Sequence, residues 1–253
     1  MSNTKAGRTS LRRLIWWVPG VVLPFLFLLT VGSCREDRPP VGSSSSIPFR
    51  WKPAVGDYAV YDNWQLDSYG FKISNSRFRS SRTVADTAAR RFGYFPVLVF
   101  VDSLFGTMAA GGDTLVRTDT LLFYASPDGE IFQYGFLASL LRAHMGLTLT
   151  PQWDRMSAFS LGSPSSWTVG YADSARRTVV SGMISGQRDF LGVMLNGMQT
   201  AVPAYRIDMS TADFDASLWL SDSPSSMLRL VYEPVGSGNG SLVELTTLRT
   251  GGG

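Results

Sequence analysis

The longest apolar stretch of the chain lies near its N-terminal end and stops just before the only cysteine. Residues 1–13 are polar and basic, Leu14 to Val31 form an apolar run, and Gly32 and Ser33 separate that run from Cys34. A basic start, an apolar middle and small residues at a boundary are the pattern of a secretory signal peptide. Because such a segment is removed on export, the fold has to be built from the residues that follow position 33.

The charge of the chain supports the same division. The whole sequence has 23 Lys and Arg against 20 Asp and Glu, for a formal net charge of +3. Four basic residues and no acidic residue precede Cys34, which leaves 19 basic and 20 acidic residues from Cys34 onward. The basic character therefore belongs to the predicted leader and does not indicate a nucleic-acid partner.

The single cysteine excludes an intramolecular disulfide and a CxxC metal or redox site. The residues Val31-Gly32-Ser33-Cys34 resemble the bacterial lipobox, although leucine is commoner at the first position and glycine or alanine at the third. This resemblance, which covers the first 34 residues, implies cleavage between Ser33 and Cys34. It also implies a bacterial lipoprotein held on the membrane by lipidation of Cys34, through a thioether to diacylglycerol.

An uncleaved membrane helix is the alternative interpretation of this segment. The apolar run is long enough to span a bilayer, and the basic residues before it would orient it. Pro19 and Pro24 oppose this alternative because proline interrupts helical hydrogen bonding.

Residues 34–48 have the composition of a flexible tether. Arg35 stands directly after the cysteine, where an aspartate would resemble an inner-membrane retention signal, so outer-membrane placement is favoured. Glu36 and Asp37 faintly resemble a surface-export signal, but a solvated charge run explains them better. The periplasmic or surface face of the membrane is left open.

From Phe49 onward, short β-type runs alternate with turn signals. This pattern predicts one domain over residues 49–250, mainly β within the α+β class. We expect a single curved antiparallel sheet or half-barrel of about ten strands, with one or two helices on the concave face. Predicted strands include Tyr58–Leu66, Val97–Val101, Thr120–Ala125, Glu130–Phe136, Trp167–Tyr171, Thr178–Ile184, Phe190–Leu195, Ala204–Met209, Asp213–Leu220, Met227–Glu233 and Leu242–Leu248.

Two segments have helical character. Phe136 to Met145 carries apolar residues at helical spacing and is followed by Gly146 at the C-cap position. Val84 to Arg90 is a second, weaker candidate.

The sequence gives no indication of catalytic chemistry. GxSxG, HExxH, P-loop and strand-linked GxGxxG motifs are absent from the sequence, and His144 is the only histidine. We therefore predict no catalytic, cofactor-binding or metal residue, and interpret His144 as a residue on the helix surface. Asp213 and Asp215 would share one strand face, which is typical of a solvent-facing edge and keeps a carboxylate-based hydrolase as the third hypothesis.

The aromatic residues leave two interpretations open. The preferred interpretation places the tryptophans after Cys34 in ordinary core, while a concave apolar space beside them would suit an apolar ligand. These tryptophans are Trp51, Trp64, Trp153, Trp167 and Trp219. As an alternative, Trp51 and Trp153 are loop aromatics that contact membrane or glycan.

The order of short motifs in the domain is similar to that of domains related to the lipoprotein-localisation carriers. These motifs are Val55 to Tyr61, Ser165-Ser166-Trp167 and Ser217-Leu218-Trp219-Leu220. The resemblance implies a half-open antiparallel barrel plugged by helix, which holds acyl chains, and it assigns no functional residue.

These observations favour a non-enzymatic, membrane-anchored envelope lipoprotein that binds an apolar small molecule or assists envelope assembly. An interaction module for another envelope protein or a glycan is the alternative, and enzymatic activity stays undecided.

The lipobox resemblance predicts the mass of the protein purified from membranes of its producing cell. The chain should begin at Cys34 and carry acyl groups, and Cys34→Ala should leave the precursor unprocessed because the thioether cannot form. Intact mass measurement of both proteins checks this expectation. A wild-type N-terminus at Met1 would contradict it.

Overall fold

The computed structural model describes residues 47–89, 96–108, 112–236 and 238–251. The predicted signal peptide, the cleavage point between Ser33 and Cys34, the lipidated Cys34 and tether residues 34–46 lie outside the described residues. They stay predictions. The predicted domain, 49–250, falls almost wholly within the described part.

Twelve strands form one sheet, and a single α-helix is present in the described residues. The strands are β1 Tyr58–Leu66, β2 Phe78–Ala89, β3 Val97–Met108, β4 Gly112–Ala125, β5 Glu130–Tyr134, β6 Trp153–Ala158, β7 Ser165–Tyr171, β8 Val179–Leu195, β9 Met198–Ser210, β10 Phe214–Asp222, β11 Ser225–Pro234 and β12 Gly240–Arg249. The helix, α1, spans Phe136–Met145, and a short 3₁₀ turn spans Phe159–Leu161. The mainly β fold class is confirmed.

The sheet consists of two antiparallel meanders. Its strand order is β6-β5-β4-β3-β2-β1-β12-β11-β10-β9-β8-β7, so each half follows chain order and the halves meet where β1 pairs with β12. This pairing extends over the full length of β1, from Tyr58 opposite Arg249 to Leu66 opposite Gly240.

The sheet is strongly curved, as its core shows. Phe123 of β4 and Phe214 of β10 belong to the same buried cluster. Their strands stand six positions apart in the sheet order, which corresponds to about 29 Å in a flat sheet. Only a sheet that wraps around its inner face can bring both into one core. Helix α1 contributes Phe136, Leu137 and Leu141 to that core, so the expected position of the helix agrees with the packing.

A closed ring of strands forms the second part of the sheet. β8 to β12 follow one another, and β12 also pairs in parallel with β8, with Thr247 opposite Met194 and Leu248 opposite Leu195. The ring has its own buried cluster, which includes Val193, Trp219 and Leu245.

Hydrogen bonds from the turn between β8 and β9 to the end of β12 stabilise this ring. Asn196 and Gly197 both have positive φ, at 47° and 86°, which the Asn-Gly pair tolerates at a two-residue hairpin turn. The backbone N–H of Asn196 donates to the carbonyl of Leu248 at 2.9 Å. Its side chain exchanges hydrogen bonds with Thr250, donating to Oγ1 at 3.1 Å and accepting from the backbone N–H at 3.0 Å.

Helix α1 agrees with the sequence prediction. Its C-cap Gly146 has a φ of 67°, and the cap N–H donates to the Leu141 carbonyl. The predicted turn Ser126 to Gly129 is also present, since the N–H of Gly129 donates to the carbonyl of Ser126 at 3.1 Å. The strand that follows ends at Tyr134, two residues earlier than predicted.

The second helix candidate is wrong. Val84 to Ala89 belongs to β2, and Arg90 lies outside the described residues. Val84 is opposite Phe100 of β3 and is buried in the core. Pairing with β3, together with the backbone hydrogen bonds of Val84 with Gly56 and Asp57, outweighs the weak helical spacing. β-Branched Thr83 and Val84 also suit a strand.

The number of strands was also underestimated. β2 and β6 were not predicted, and the two runs expected at 178–184 and 190–195 are parts of the continuous strand β8.

The Asn196 contacts predict a specific loss of stability. Asn196→Ala should lower the free energy of unfolding by about 2 kcal/mol, because it removes two side-chain hydrogen bonds and places alanine in a left-handed turn. Asn196→Gly keeps the turn and should cost about 1 kcal/mol. Urea unfolding of both variants measures the difference. An unchanged unfolding midpoint for Asn196→Ala would contradict the stabilising role of these contacts.

Candidate functional site

The two ends of the strand order, β6 and β7, lie beside each other and form a seam in the curved sheet. Trp167 of β7 is buried, and its Nε1 donates to the backbone carbonyl of Arg155 in β6 at 2.9 Å. Gly170 of β7 lies against Asp154 of β6, where an added Cβ would lie 2.6 Å from Asp154 Oδ1. Side-chain contacts and close backbone approach therefore seal the seam.

Asp154 is fully buried, at 0% exposure, and caps helix α1 from a neighbouring strand. The N-cap residue is Gly135, which has no side chain to accept a hydrogen bond. Asp154 Oδ2 instead accepts from the backbone N–H of Leu137 at 2.9 Å. Gln152 Nε2 donates to Oδ1 at 3.4 Å. The carboxylate thus fulfils the capping role at the positive end of the helix.

Burial raises the pKa of Asp154 to about 6, and the hydrogen bonds from Leu137 and Gln152 oppose part of that rise. A raised carboxyl pKa in a cleft is a recognised sign of an acid or base. Here both oxygens already serve contacts that hold the fold, so the geometry assigns Asp154 a positioning role.

A cleft of about 320 Å³ opens at this end of the seam. That volume is within the usual range for small-molecule sites. Its wall combines the first turn of α1, the segment that leads into β6, and the loop between β7 and β8. It is lined by Leu137, Ala138, Leu149, Thr150, Pro151, Gln152, Asp154, Tyr171, Asp173, Ser174 and Arg176.

Asp173 organises the loop at the mouth of the cleft. Its carboxylate accepts hydrogen bonds from the backbone N–H groups of Arg177 and Thr178. These hydrogen bonds lower the pKa of Asp173 to about 2, and the bond from Arg177 makes the largest contribution. The carboxylate therefore stays ionised and holds the loop in one conformation.

Arg176 is held at the mouth of the cleft in an uncommon backbone conformation. Its φ is 56°, which is strained for a side chain of this size. Its guanidinium lies over the ring of Tyr171, 5.7 Å from the centroid. Within the described residues it has no carboxylate partner. An exposed guanidinium with unused donors suits a carboxylate or phosphate group.

His144 and Asp215 were considered as candidate catalytic residues from the sequence, and packing and strand alternation explain their positions. His144 stacks on Tyr232, with ring centroids 4.2 Å apart, and its Nε2 lies 3.0 Å from Ser241 Oγ. Asp215 is exposed on β10 while Phe214 and Ala216 are buried, as the alternation predicts.

Asp213 precedes the strand instead of beginning it, and it is exposed. The two aspartates do not contribute to the cleft.

For Trp51, burial supports the core interpretation and not the alternative of an exposed loop aromatic. Trp51 is only 7% exposed and stacks on Phe100, with ring centroids 5.7 Å apart. Trp153 begins strand β6 and packs edge-on against Tyr134. The segment before β1 has no regular secondary structure, yet its aromatic residues are buried in the core. The sequence pattern, which indicates a loop, does not predict this burial.

Aromatic side chains of the protein occupy part of the concave space expected to hold an apolar ligand. Phe49 stacks on Phe159 at 3.8 Å between centroids, and Trp51 packs against Phe100 and Phe123. The gap that Trp51 shares with Tyr61 amounts to about 20 Å³, which is room for about one water molecule. On its other side, Trp51 lines an open cavity of about 450 Å³ beside Arg50 and Pro127.

Two further observations bear on the class of site. In the described part of the chain, no three His, Cys, Asp or Glu side chains are grouped closely enough to hold a metal ion.

None of the helical residues described is part of a helix long and apolar enough to cross a membrane.

Two solved structures are similar to this chain. One, from Bacteroides fragilis NCTC 9343, is provisionally described as an exported protein with a YmcC-like fold. Its TM-score is 0.47 at 11% identity, over 79% of this chain and 98% of that chain. The other, provisionally described as a lipoprotein from Parabacteroides distasonis ATCC 8503, has a TM-score of 0.40 at 14% identity, over 79% and 98%. No family model and no curated protein matches the chain.

The buried carboxyl of Asp154 predicts a pH dependence of stability. Its pKa is about 6 in the fold against 3.8 when unfolded, so the folded state binds the proton more tightly between these values. The free energy of unfolding should therefore fall by about 2 kcal/mol as the pH rises from 4 to 7. Asp154→Asn, which can still accept from Leu137, should remove this fall in urea unfolding followed across that range.

Asp173→Asn is the matched control because the pKa of Asp173 is shifted in the opposite direction. Its carboxylate contributes stability above pH 3.8 that is lost as the pH falls toward 2, so the deficit of this variant should shrink in acid. An Asp154→Asn profile parallel to that of the wild type would contradict the assignment.

Proposed function

We propose that the chain is a lipid-anchored protein of the bacterial cell envelope. The support is the N-terminal pattern, in which a basic start and an apolar run lead to Ser33 and the lone Cys34. Removal of residues 1–33 and acylation of Cys34 leave a nearly neutral chain whose residues 34–46 connect the lipid to the domain. Outer-membrane placement is favoured because Arg35, and not an aspartate, follows the cysteine.

We further propose that the domain acts by binding and that its ligand occupies the seam cleft. The observation that carries this proposal is Arg176, held over Tyr171 in a strained conformation, with no carboxylate partner in the described residues. Strain of this kind persists where the surrounding structure enforces it and often marks a functional position. The cleft offers one cation at its mouth, beside the ionised carboxylate of Asp173 that its own loop binds, and hydroxyl and amide groups on its walls.

The ligand that fits this wall is small, anionic and hydroxyl-bearing. Arg176 would bind a carboxylate or phosphate, while Thr150, Gln152 and Ser174 present groups that pair with hydroxyls. Leu149 and Pro151 add an apolar surface suited to a sugar ring. A sugar that carries a carboxylate or phosphate combines these features, and it belongs to the glycan-binding alternative considered from the sequence.

An apolar ligand in the interior has less support. Stacked aromatic side chains and α1 pack against the inner face of the sheet, as Phe49 on Phe159 illustrates. An acyl chain would have to displace these contacts, each of which contributes roughly 0.5–1.5 kcal/mol beyond the area it buries.

A hydrolase has less support for a separate reason. Asp154 is committed to the helix and Asp173 to its own loop, so the cleft presents no free pair of carboxylates among its described lining residues.

Binding of a charged sugar and its neutral counterpart tests the proposal. Glucuronate should shift the amide resonances of residues 149–154 and 171–176, whereas glucose should bind more weakly because it has no carboxylate. Arg176→Gly removes the guanidinium, relieves the positive φ and should weaken glucuronate binding about tenfold or more.

Arg177→Ala is the control for this experiment. Arg177 is an exposed neighbour of the same charge that does not line the cleft, so this variant should bind as the wild type does. Equal loss in both variants would indicate a general charge effect and contradict the site.

A further inference from the structure

The loop between β1 and β2 presents two aromatic side chains to solvent. Residues 67–72, the first part of this connection, are here termed the aromatic loop. Within it, Tyr69 is 84% exposed and Phe71 is 71% exposed. Aromatic side chains offer large apolar areas, so their exposure on a rigid element is costly unless another surface covers them. The sequence did not single out these residues as loop aromatics.

Internal hydrogen bonds hold the aromatic loop in one conformation. Asp67 Oδ1 accepts from the backbone N–H of Tyr69 and of Phe71, each at 2.9 Å. The N–H of Asp67 donates to the Phe71 carbonyl at 2.9 Å, and Gly70 provides the positive φ of 81° that the turn requires. The two rings are therefore displayed by a preorganised turn, which lowers the entropic cost of binding.

The surroundings of the loop combine aromatic and basic side chains. The ring of Trp64 lies beneath Lys72 Nζ at 5.1 Å and Arg77 Cζ at 5.6 Å. Glu244 pairs with Lys72 and Asp62 with Arg77, so the patch has little net charge. Tyrosine and tryptophan with lysine and arginine at their edge are the residues enriched where proteins meet the headgroup region of a bilayer.

The length of the tether brings this surface within reach of the membrane. Residues 34–46 separate the proposed lipid from the first described residue, Ile47, and span about 45 Å when extended. A domain of roughly 200 residues has a radius of gyration of about 17 Å. The tether thus allows any face to turn toward the bilayer, and the exposed apolar side chains decide which face rests there.

From these observations we propose that the aromatic loop docks the domain on the phospholipid headgroup region, with Tyr69 and Phe71 inserted. This inference rests on the proposed lipid anchor and adds an orientation to it. A second exposed apolar surface, formed by Phe190 and Met194 on one face of β8, has no tyrosine or tryptophan among its exposed large side chains and provides the internal comparison.

Spin labels on the full-length processed protein test the docking. Because lipidation would block Cys34, a cysteine introduced at exposed Ser68 or at exposed Gln199 carries the only label. The proteins are placed in phosphatidylethanolamine and phosphatidylglycerol vesicles, and collisions of the label with oxygen and with an aqueous nickel complex are compared. The label at 68 should show a several-fold higher ratio of oxygen to nickel collisions than the label at 199.

Tyr69→Ser with Phe71→Ser should abolish this difference while the protein still floats with the vesicles. Flotation with equal collision ratios at 68 and 199 in the protein with both rings intact would overturn the docking and leave the lipid anchor standing. Failure to float would contradict the anchor and the docking together. Protection of residue 68 in native membranes but not in lipid vesicles would assign the loop to a protein partner and overturn the proposal.

Discussion

The pairing of β1 with β12 is the constraint on which the rest of the structure depends. It joins residues from opposite ends of the domain and makes one sheet of two meanders that otherwise follow chain order. The joined sheet has to bury one apolar face, and wrapping around α1 and the aromatic core achieves this. Curvature then brings β6 and β7 together, and the seam between them positions both Asp154 and the cleft.

Local signals in the sequence predicted local structure well. Phe136 to Met145 is helical with Gly146 at its cap, and the turn at Ser126 to Gly129 joins two strands, because spacing and turn residues act within a few positions. The mainly β class followed from the same signals. The burial of Tyr61 did not, because it depends on Val193 and Trp219, which lie far away in the sequence.

The candidate site could not be predicted from sequence patterns because it depends on contacts between residues that are far apart in the chain. Asp154 caps a helix that begins 18 positions earlier, and Trp51 is buried by strands that follow much later in the chain. The segment Asp173 to Thr178 carries a detectable signal, since an aspartate before small residues predicts a side-chain-stabilised turn. The left-handed Arg176 within it could not be predicted, as nothing in its neighbours requires positive φ. The aromatic loop follows the same rule, with Asp67 ahead of Tyr69-Gly70-Phe71.

The central claim is that this domain binds a polar ligand at the outer seam and not an apolar one inside the sheet. Native mass spectrometry of the protein released from its own membranes addresses this most directly, because a retained ligand reveals its own composition. Binding in the seam cleft predicts an adduct of a small anionic, hydroxyl-rich molecule that fits a volume of about 320 Å³ and that is lost when Arg176 is replaced by glycine. A fatty acid or phospholipid retained by the domain in addition to the acyl groups on Cys34 would contradict it.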